Sequence, residues 1–79
     1  MAVRAYVLIE AQVGKTREVV EAIRKLERVV SVDVVAGPYD AIAVVEGETL
    51  NDIGDLIAAK VHPVAGISRT VTCLVVHLS

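Results

Sequence analysis

The sequence is poor in several residue types, and each shortage excludes a class of protein. Cys73 is its only cysteine, so an internal disulfide is impossible. One cysteine and the two histidines of the chain do not suffice for a structural zinc site. The chain has two tyrosines, no Phe and no Trp. It has 8 basic and 10 acidic residues, for a net charge of −2, and so lacks the basic surface that binds nucleic-acid phosphates.

Long apolar runs and targeting signals are also missing. No apolar run approaches the roughly 20 residues that cross a bilayer, and Met1–Arg4 does not open a signal peptide. A free thiol without such a signal fits the reducing cytoplasm, so we expect a cytoplasmic protein with no membrane partner. The chain has one Gln and one Asn, and this scarcity of thermolabile residues is typical of a thermophile.

Aliphatic residues are abundant instead. The 79 residues include 17 Val, 10 Ala, 6 Ile and 6 Leu, and hydrophobic residues make up 54% of the chain. A domain of this size buries only about 60% of its surface on folding, so one small core cannot cover so much aliphatic surface. The composition therefore predicts a single domain that forms oligomers.

The spacing of the apolar residues predicts six secondary-structure elements. Alternation predicts strands, and a 3.6-residue period predicts helices. Thr16 is predicted to cap the first helix, and Thr49 the second, through a capping box with Asp52. The predicted elements are a strand over Val3–Ala11, a helix over Thr16–Arg28, strands over Val29–Ala36 and Ala41–Glu46, a helix from Leu50 that ends by Pro63, and a strand over Ile67–Leu78.

This order of elements predicts a ferredoxin-like α+β fold, in which a four-stranded antiparallel sheet carries both helices on one face. Alternation also makes the strands apolar on both faces, with Tyr6 and Leu8 opposite Val7 and Ile9. We therefore expect a second sheet to cover the free face, as in a dimeric α+β barrel. In the last strand, Cys73 is expected to be a small buried hydrophobe, and the candidates for contact with the partner sheet are Leu74 and Val76.

No set of residues predicts catalysis. The segment Gly14–Thr16 lies between a strand and a helix, as a phosphate-binding loop does, but Ile9 stands where that motif needs its first glycine. A glycine turn explains the segment better. His62 and His77 lie on different elements, and no carboxylate is spaced to complete a metal set with them. We therefore expect no catalytic residue, no metal and no cofactor.

The loop Gly37–Asp40 is open to two hypotheses. In the structural one, Asp40 caps the turn by accepting backbone N–H groups, and Tyr39 packs at a subunit contact. In the functional one, the carboxylate of Asp40 holds the ammonium group of a small ligand, because an acid lies beside exposed backbone groups at the end of a sheet.

Several motifs in combination resemble a known family. They are Ala5–Glu10, the Gly14-Lys15 turn, Val32–Val34 leading to Gly37–Asp40, and the final strand Gly66–Thr72. Together they resemble the effector-binding (RAM-type) domain of the Lrp/AsnC, or feast/famine, transcription regulators, over essentially the whole chain. The resemblance implies one effector-binding and oligomerisation domain over residues 1–79, which dimerises sheet to sheet and assembles into rings of dimers.

The resemblance also implies a ligand and its site. In this family a free amino acid binds between neighbouring dimers, near the Gly-x-Tyr-Asp loop and the threonines of the last strand. By position, the candidate effector-binding residues are Gly37, Tyr39, Asp40, Thr70 and Thr72. Asp40 would meet the ammonium group, while backbone amides and threonine hydroxyls would meet the carboxylate. Thr70 and Thr72 share one face and would equally well stabilise strand pairing.

Full regulators of this family carry a helix-turn-helix domain, which this sequence does not contain. The expected function is therefore that of a stand-alone, non-enzymatic module of transcription regulation, which binds an amino acid, does not itself bind nucleic acid and modulates a full-length relative. Two alternatives stay open. One is a small monooxygenase- or isomerase-like enzyme on the dimeric α+β barrel, with its site between helices and sheet. The other is a purely structural oligomerisation module.

Overall fold

The computed structural model describes residues 2–78; Met1 and Ser79, the two ends of the predicted domain, lie outside the described residues. The first helix is followed by a loop, and the second is followed directly by a short π-helix. The elements are β1 Val3–Ala11, α1 Thr16–Arg24, β2 Val29–Val34, β3 Ala41–Gly47, α2 Leu50–Leu56, the π-helix Ile57–Val61 and β4 Ile67–Leu74. This order confirms the six predicted elements. No helix within residues 2–78 is long and apolar enough to span a membrane.

The four strands form one antiparallel sheet in the order β2-β3-β1-β4. The central strand β1 pairs with β3 on one side and with β4 on the other, so that Ile9 lies opposite both Ala41 and Thr70. This topology confirms the predicted ferredoxin-like α+β fold. The two edges of the sheet are β2 and β4.

The hydrophobic core lies between the two helices and one face of the sheet. Helix α1 contributes Val19, Val20 and Ile23, while α2 contributes Ile53 and Leu56. From the strands, alternate residues point into the same cluster: Ala5, Val7, Ile9, Val32, Ala41, Ala43 and Val45. Within residues 2–78 no polar or charged side chain is buried. Both helices therefore cover the same face, as the sequence predicts.

Helix α1 differs from its prediction at both ends. Lys15, not Thr16, is the N-cap residue, and its side chain makes no capping hydrogen bond; Thr16 is the first helical residue. The helix ends at Arg24 instead of Arg28, and Arg28 has a φ of 74°, outside the right-handed helical region. The chain must reverse here so that Val29 can begin β2. The apolar period continues past this reversal, and for this reason the predicted helix end at Arg28 lies beyond the observed end at Arg24.

Strand β4 ends at Leu74 and not at Leu78, and β2 ends at Val34 and not at Ala36. The cause for β4 is the length of its neighbour. Leu74 pairs with Ala5, near the start of β1, and the last backbone bond there joins the N–H of Val75 to the carbonyl of Arg4 at 2.9 Å. The apolar alternation continues to Leu78, but β1 begins at Val3, so the register leaves His77 and Leu78 without a partner in β1.

The start of α2 confirms the predicted capping box. Thr49 Oγ1 accepts the backbone N–H of Asp52 at 3.1 Å, and Asp52 Oδ2 accepts the N–H groups of Thr49 and Glu48, each at 3.0 Å. Arg28 lies 3.5 Å from the same carboxylate oxygen. These backbone hydrogen bonds, aided by the charge of Arg28, hold the pKa of Asp52 below its ordinary value.

Replacing Thr49 with Ala is expected to lower the free energy of unfolding by about 1 kcal/mol, because it leaves an N-terminal backbone N–H without its acceptor. Thr16→Ala is the matched control and is expected to change stability by less than about 0.5 kcal/mol, because that hydroxyl caps nothing. Urea unfolding of both variants at pH 7 measures the difference. Equal losses would contradict the capping assignment.

The capping box also makes stability depend on pH. Because the folded-state pKa of Asp52 is lowered, the contribution of Asp52 to the free energy of unfolding is present above about pH 4 and is lost as the pH falls through the folded-state pKa.

The sheet face that the helices do not cover is also apolar. We call it the outer face, and its apolar members by strand register are Tyr6, Leu8, Ile42, Val44, Val71 and Cys73. Tyr6 is 41% exposed and Cys73 is exposed, so the predicted burial of Cys73 is wrong for the single chain. Cys73 lies on edge strand β4 opposite Tyr6 and is exposed among residues 2–78.

Leu74 is not on the outer face, and its predicted contact with a partner sheet is wrong, whereas the predicted contact of Val76 stays a prediction. Leu74 pairs with Ala5, a core residue, and therefore lies on the helix side of the sheet. Val76 lies beyond the end of β4 and is 74% exposed. From the alternation of the sequence alone, the two faces of β4 could not be told apart because both are apolar. The pairing with β1 identifies the two faces, and Val71 and Cys73 lie on the outer face.

Candidate functional site

Three loops meet at one end of the sheet, which we call the loop end. They are residues 12–15 after β1, residues 35–40 between β2 and β3, and residues 62–66 before β4. Backbone hydrogen bonds tie them to β1 and to one another. Gln12 donates to the carbonyl of Gly66 at 2.7 Å, and Asp40 donates to the carbonyl of Ile9 at 2.9 Å. The Gly-x-Tyr-Asp loop and the start of β4 are therefore neighbours, although some thirty residues separate them in the sequence.

Asp40 holds this end of the sheet together. Its carboxylate oxygen Oδ2 accepts the backbone N–H of Ala11 at 2.8 Å, and its own carbonyl accepts the N–H of Val35 at 3.0 Å. Asp40 thus accepts a backbone amide, as the structural hypothesis predicts, but from β1 and not from its own turn. A carboxylate has about four acceptor positions, so one hydrogen bond leaves it able to bind a further donor. Its role toward an ammonium group stays a prediction.

Tyr39 contacts an arginine that the sequence analysis did not single out. The guanidinium carbon of Arg69 lies 5.9 Å from the centre of the Tyr39 ring, and Arg69 Nη2 lies 3.5 Å from the Tyr39 hydroxyl. This contact joins the loop to β4 and has the geometry of a cation–π pair. The sequence offered one signal for it: Arg69 precedes Thr70 in the final motif, so the alternation of β4 places it on the opposite face from both candidate threonines.

Thr70 and Thr72 lie on the helix side of the sheet. They pair with Ile9 and Val7, which are both core residues. Thr70 Oγ1 is 3.4 Å from Nε2 of His62, which follows the π-helix. Tyr39 contacts Arg69, which lies on the face of β4 opposite to that of Thr70 and Thr72. The structure therefore brings Gly37, Tyr39, Asp40 and Thr70 to the loop end, but Thr72 lies farther along β4, opposite Val7 in the middle of β1.

Gly37 lies at the exposed tip of the loop. Apart from its two neighbours in the chain, none of the residues that the structure describes has an atom within 4 Å of the position that a Cβ atom would take there. Packing within one chain therefore does not explain this glycine. The open space leaves room for a ligand or a second chain to approach the backbone closely.

Two clefts of the described residues lie elsewhere. One, of about 460 Å³, separates the end of α1 from α2 and is lined by Lys25, Leu26, Glu27, Arg28, Asp52, Asp55, Leu56, Ala59 and Lys60. The other, of about 420 Å³, lies between α1 and β2. None of the five candidate residues lines either cleft. Residues 2–78 also contain no group of three or more His, Cys, Asp or Glu side chains placed to hold a metal.

The interface between helices and sheet bears on the enzyme alternative. An active site there needs polar groups to move protons or stabilise charge. Within residues 2–78 that layer is filled by aliphatic side chains, and no polar side chain is buried. The structure therefore offers the enzyme hypothesis no support at the place where it expects chemistry.

The fold and the loop end define a small ferredoxin-like domain whose candidate site lies at the surface and not in the core. Residues 4–78 match the family described as Lrp/AsnC ligand binding domain, and the chain belongs to this family. Family membership confirms the resemblance that the motifs indicated. The curated relative reported next is a transcription regulator.

Individual relatives agree with this assignment. Over 71 residues, 86% of the chain, the sequence is 34% identical to an HTH-type transcriptional regulator of Pyrococcus furiosus, PF0250, and covers 47% of that protein. The chain thus spans about half the length of this curated relative. The crystal structure of FFRP-DM1 is 35% identical, with a TM-score of 0.89 over 94% of this chain and 99% of that one.

A third comparison shows the fold alone. The regulator NMB0573 of Neisseria meningitidis, solved as a complex with L-Met, has a TM-score of 0.85 at 16% identity. The alignment covers 95% of this chain and 50% of that one.

Proposed function

We propose that this domain binds a free amino acid at the loop end and uses the binding to control its assembly in transcription regulation. The match of residues 4–78 to a ligand-binding family carries the proposal. The L-Met complex of the Neisseria regulator, a protein of the same fold, supports an amino acid as the ligand class. Gly37, Tyr39, Asp40, Thr70 and Thr72 are the proposed effector-binding residues, with Asp40 as the acid for the ammonium group.

Assembly is the second part of the proposal. The outer face exposes apolar side chains across three strands, and an apolar sheet face is stabilised when a second sheet packs on it. A twofold-related copy offers the same apolar surface. We therefore propose a homodimer with outer face against outer face, and rings of such dimers in which loop ends come together.

The proposed partner is a full-length relative. PF0250 is an HTH-type regulator about twice as long as this chain. The net charge of −2 does not favour binding of this domain to DNA phosphates. It would therefore act in the cytoplasm through mixed oligomers, in which the relative contacts DNA and this domain contributes effector-binding sites.

A panel of the twenty amino acids in a thermal-shift assay tests the proposal. A ligand that binds only the folded protein stabilises it by about 2.7 kcal/mol per site at one hundred times its dissociation constant. We expect one or a few amino acids to raise the melting temperature, and gel filtration with the same amino acids to show a larger assembly. If none shifts the melting temperature at millimolar concentration, the sensing role fails and a structural oligomerisation module is the better account.

Asp40→Asn separates charge from turn capping in the same assay. The amide oxygen of Asn can still accept the N–H of Ala11, but it carries no charge for an ammonium group. We expect Asn at this position to abolish the shift and preserve the dimer. Asp55→Asn, at an exposed acid on α2, is the matched control and should bind like the parent. If Asp40→Asn also binds like the parent, Asp40 is a turn residue only.

A further inference from the structure

Strand β2 is an edge of the sheet, and part of its backbone points away from the neighbouring strand β3. Val35 donates its N–H to the carbonyl of Asp40 at 3.0 Å, next to the pairing of the two strands. In an antiparallel pair, hydrogen-bonded positions alternate with positions whose backbone groups point outward. By this alternation Asp33 bonds to β3, whereas the N–H and C=O groups of Val32 and Val34 face the free edge. A free edge of this kind is a template for a further strand.

The sequence of β2 favours such pairing. Val29–Val34 contains four valines, which have high β-propensity, and no proline or glycine. Val30 and Val34 are 55% and 61% exposed. The register shift between Val29 and Ser31 disrupts the start of the edge, so its regular part begins at Ser31. A twofold-related copy of the chain presents the same groups in antiparallel order, so the strand that fits this edge is β2 of a second copy.

Arg24 occupies the middle of the regular part of this edge. Its Nη2 donates to the carbonyl of Val32 at 2.9 Å, in a partly buried contact that joins the last residue of α1 to β2. A side chain can reach this carbonyl because the group points away from β3, in agreement with the alternation. Next to this contact lies the cleft of about 420 Å³ between α1 and β2, which is lined by Arg17, Arg24 and Val34 among others. An incoming strand would therefore find space beside Val34 but would have to displace the hydrogen bond of Arg24.

We propose that Arg24 blocks edge-to-edge pairing of two copies through β2, so that copies of the chain associate through other surfaces. The guanidinium occupies the carbonyl of Val32, and its charge would meet the same charge of the second copy. Charged side chains at edge strands are a common protection against strand addition. A hydrogen bond from a charged donor changes an equilibrium roughly 10- to 100-fold, which is the expected size of the block. The inference does not depend on the effector or on the residues that bind it.

The test replaces Arg24 with Met, which keeps a long apolar stem and a similar helix propensity but has neither donor nor charge. Arg17→Met is the matched control, because Arg17 is exposed on the same helix and lines the same cleft. Light scattering over a series of protein concentrations measures the mass. We expect Arg24→Met to form species larger than the parent assembly at concentrations roughly 10- to 100-fold below those that the parent or Arg17→Met requires.

Hydrogen exchange shows whether the new contact is the edge of β2. In the parent, the N–H of Val34 faces the free edge and should exchange quickly, whereas the N–H of Asp33 bonds to β3 and should be protected. In the larger species of Arg24→Met, the N–H of Val34 should gain protection. Adding Val34→Lys to Arg24→Met returns a charge to the edge and should restore the mass of the parent.

The outcomes decide whether the edge or general instability causes association. If Arg24→Met has the same mass as Arg17→Met at every concentration, the inference is wrong. It is also wrong if larger species form while the N–H of Val34 stays unprotected, because the copies then meet at another surface. Thr49→Ala, which lowers stability at the start of α2, should keep the mass of the parent, and equal association of this variant would contradict a specific role of Arg24. Should Arg24→Met unfold, as its melting curve would show, the pair Arg24→Ala and Arg17→Ala decides in the same way.

Discussion

Replacing Leu8 with Asp is expected to dissociate the assembly or unfold it. Leu8 lies in the middle of the outer face, on β1, between Ile42 of β3 and Val71 of β4. Full burial of such a side chain contributes about 1.5–3 kcal/mol. The substitution removes this contribution and places a charge in an apolar interface, which adds a desolvation cost. In a twofold dimer both effects occur twice.

Light scattering at micromolar concentration measures the result. The parent should have at least twice the mass of the 8.4 kDa chain. Leu8→Asp should have the mass of a monomer, or its circular dichroism spectrum should show that it is unfolded. Leu50→Asp is the matched control: Leu50 is 58% exposed, begins α2 and lies on the helix side, so this variant should keep the parent's mass. A parent that scatters as a monodisperse 8.4 kDa species would contradict the proposed dimer.

Replacing Ile23 with Ala is expected to cost about 2–5 kcal/mol of unfolding free energy, because it removes buried methylene and methyl groups and leaves a cavity. Ile23 is completely buried on α1, where it packs toward the sheet. A domain has only about 5–15 kcal/mol of stability. The loss is therefore a large part of the total.

Denaturant unfolding at fixed protein concentration measures this cost, and Ile23→Val provides the graded comparison. Val keeps the shape of the side chain and removes one carbon, so its cost should be about 0.5–1.5 kcal/mol. Fixed concentration matters because association adds to the apparent stability. An Ala variant as stable as the Val variant would show that the helix–sheet layer is not the close-packed core described above.

The fold could be predicted because its signals are local. Alternation in β1 and the helical period around Val19 and Ile23 identify strands and helices without knowledge of tertiary contacts. The capping box of Thr49 and Asp52 was predictable for the same reason, since it joins residues three positions apart. Thr16 shows the limit of this reasoning: it has the right residue type for a cap, but the chain enters the helix one residue earlier.

What the sequence could not show depends on pairing between distant segments. Leu74 and Cys73 belong to opposite faces, and only the register with β1 shows which face meets the helices. The contact between Arg69 and Tyr39 could not be predicted for the same reason, because it joins residues 30 positions apart. Asp40 was singled out correctly, but the N–H that it accepts belongs to Ala11, which the turn itself does not contain.

A crystal structure of the protein grown with the amino acid that gives the largest thermal shift tests the account most directly. We expect ligand density at the loop end, with the ammonium group within hydrogen-bond distance of the Asp40 carboxylate. Density in the cleft between α1 and α2, or between the helices and the sheet, would contradict it.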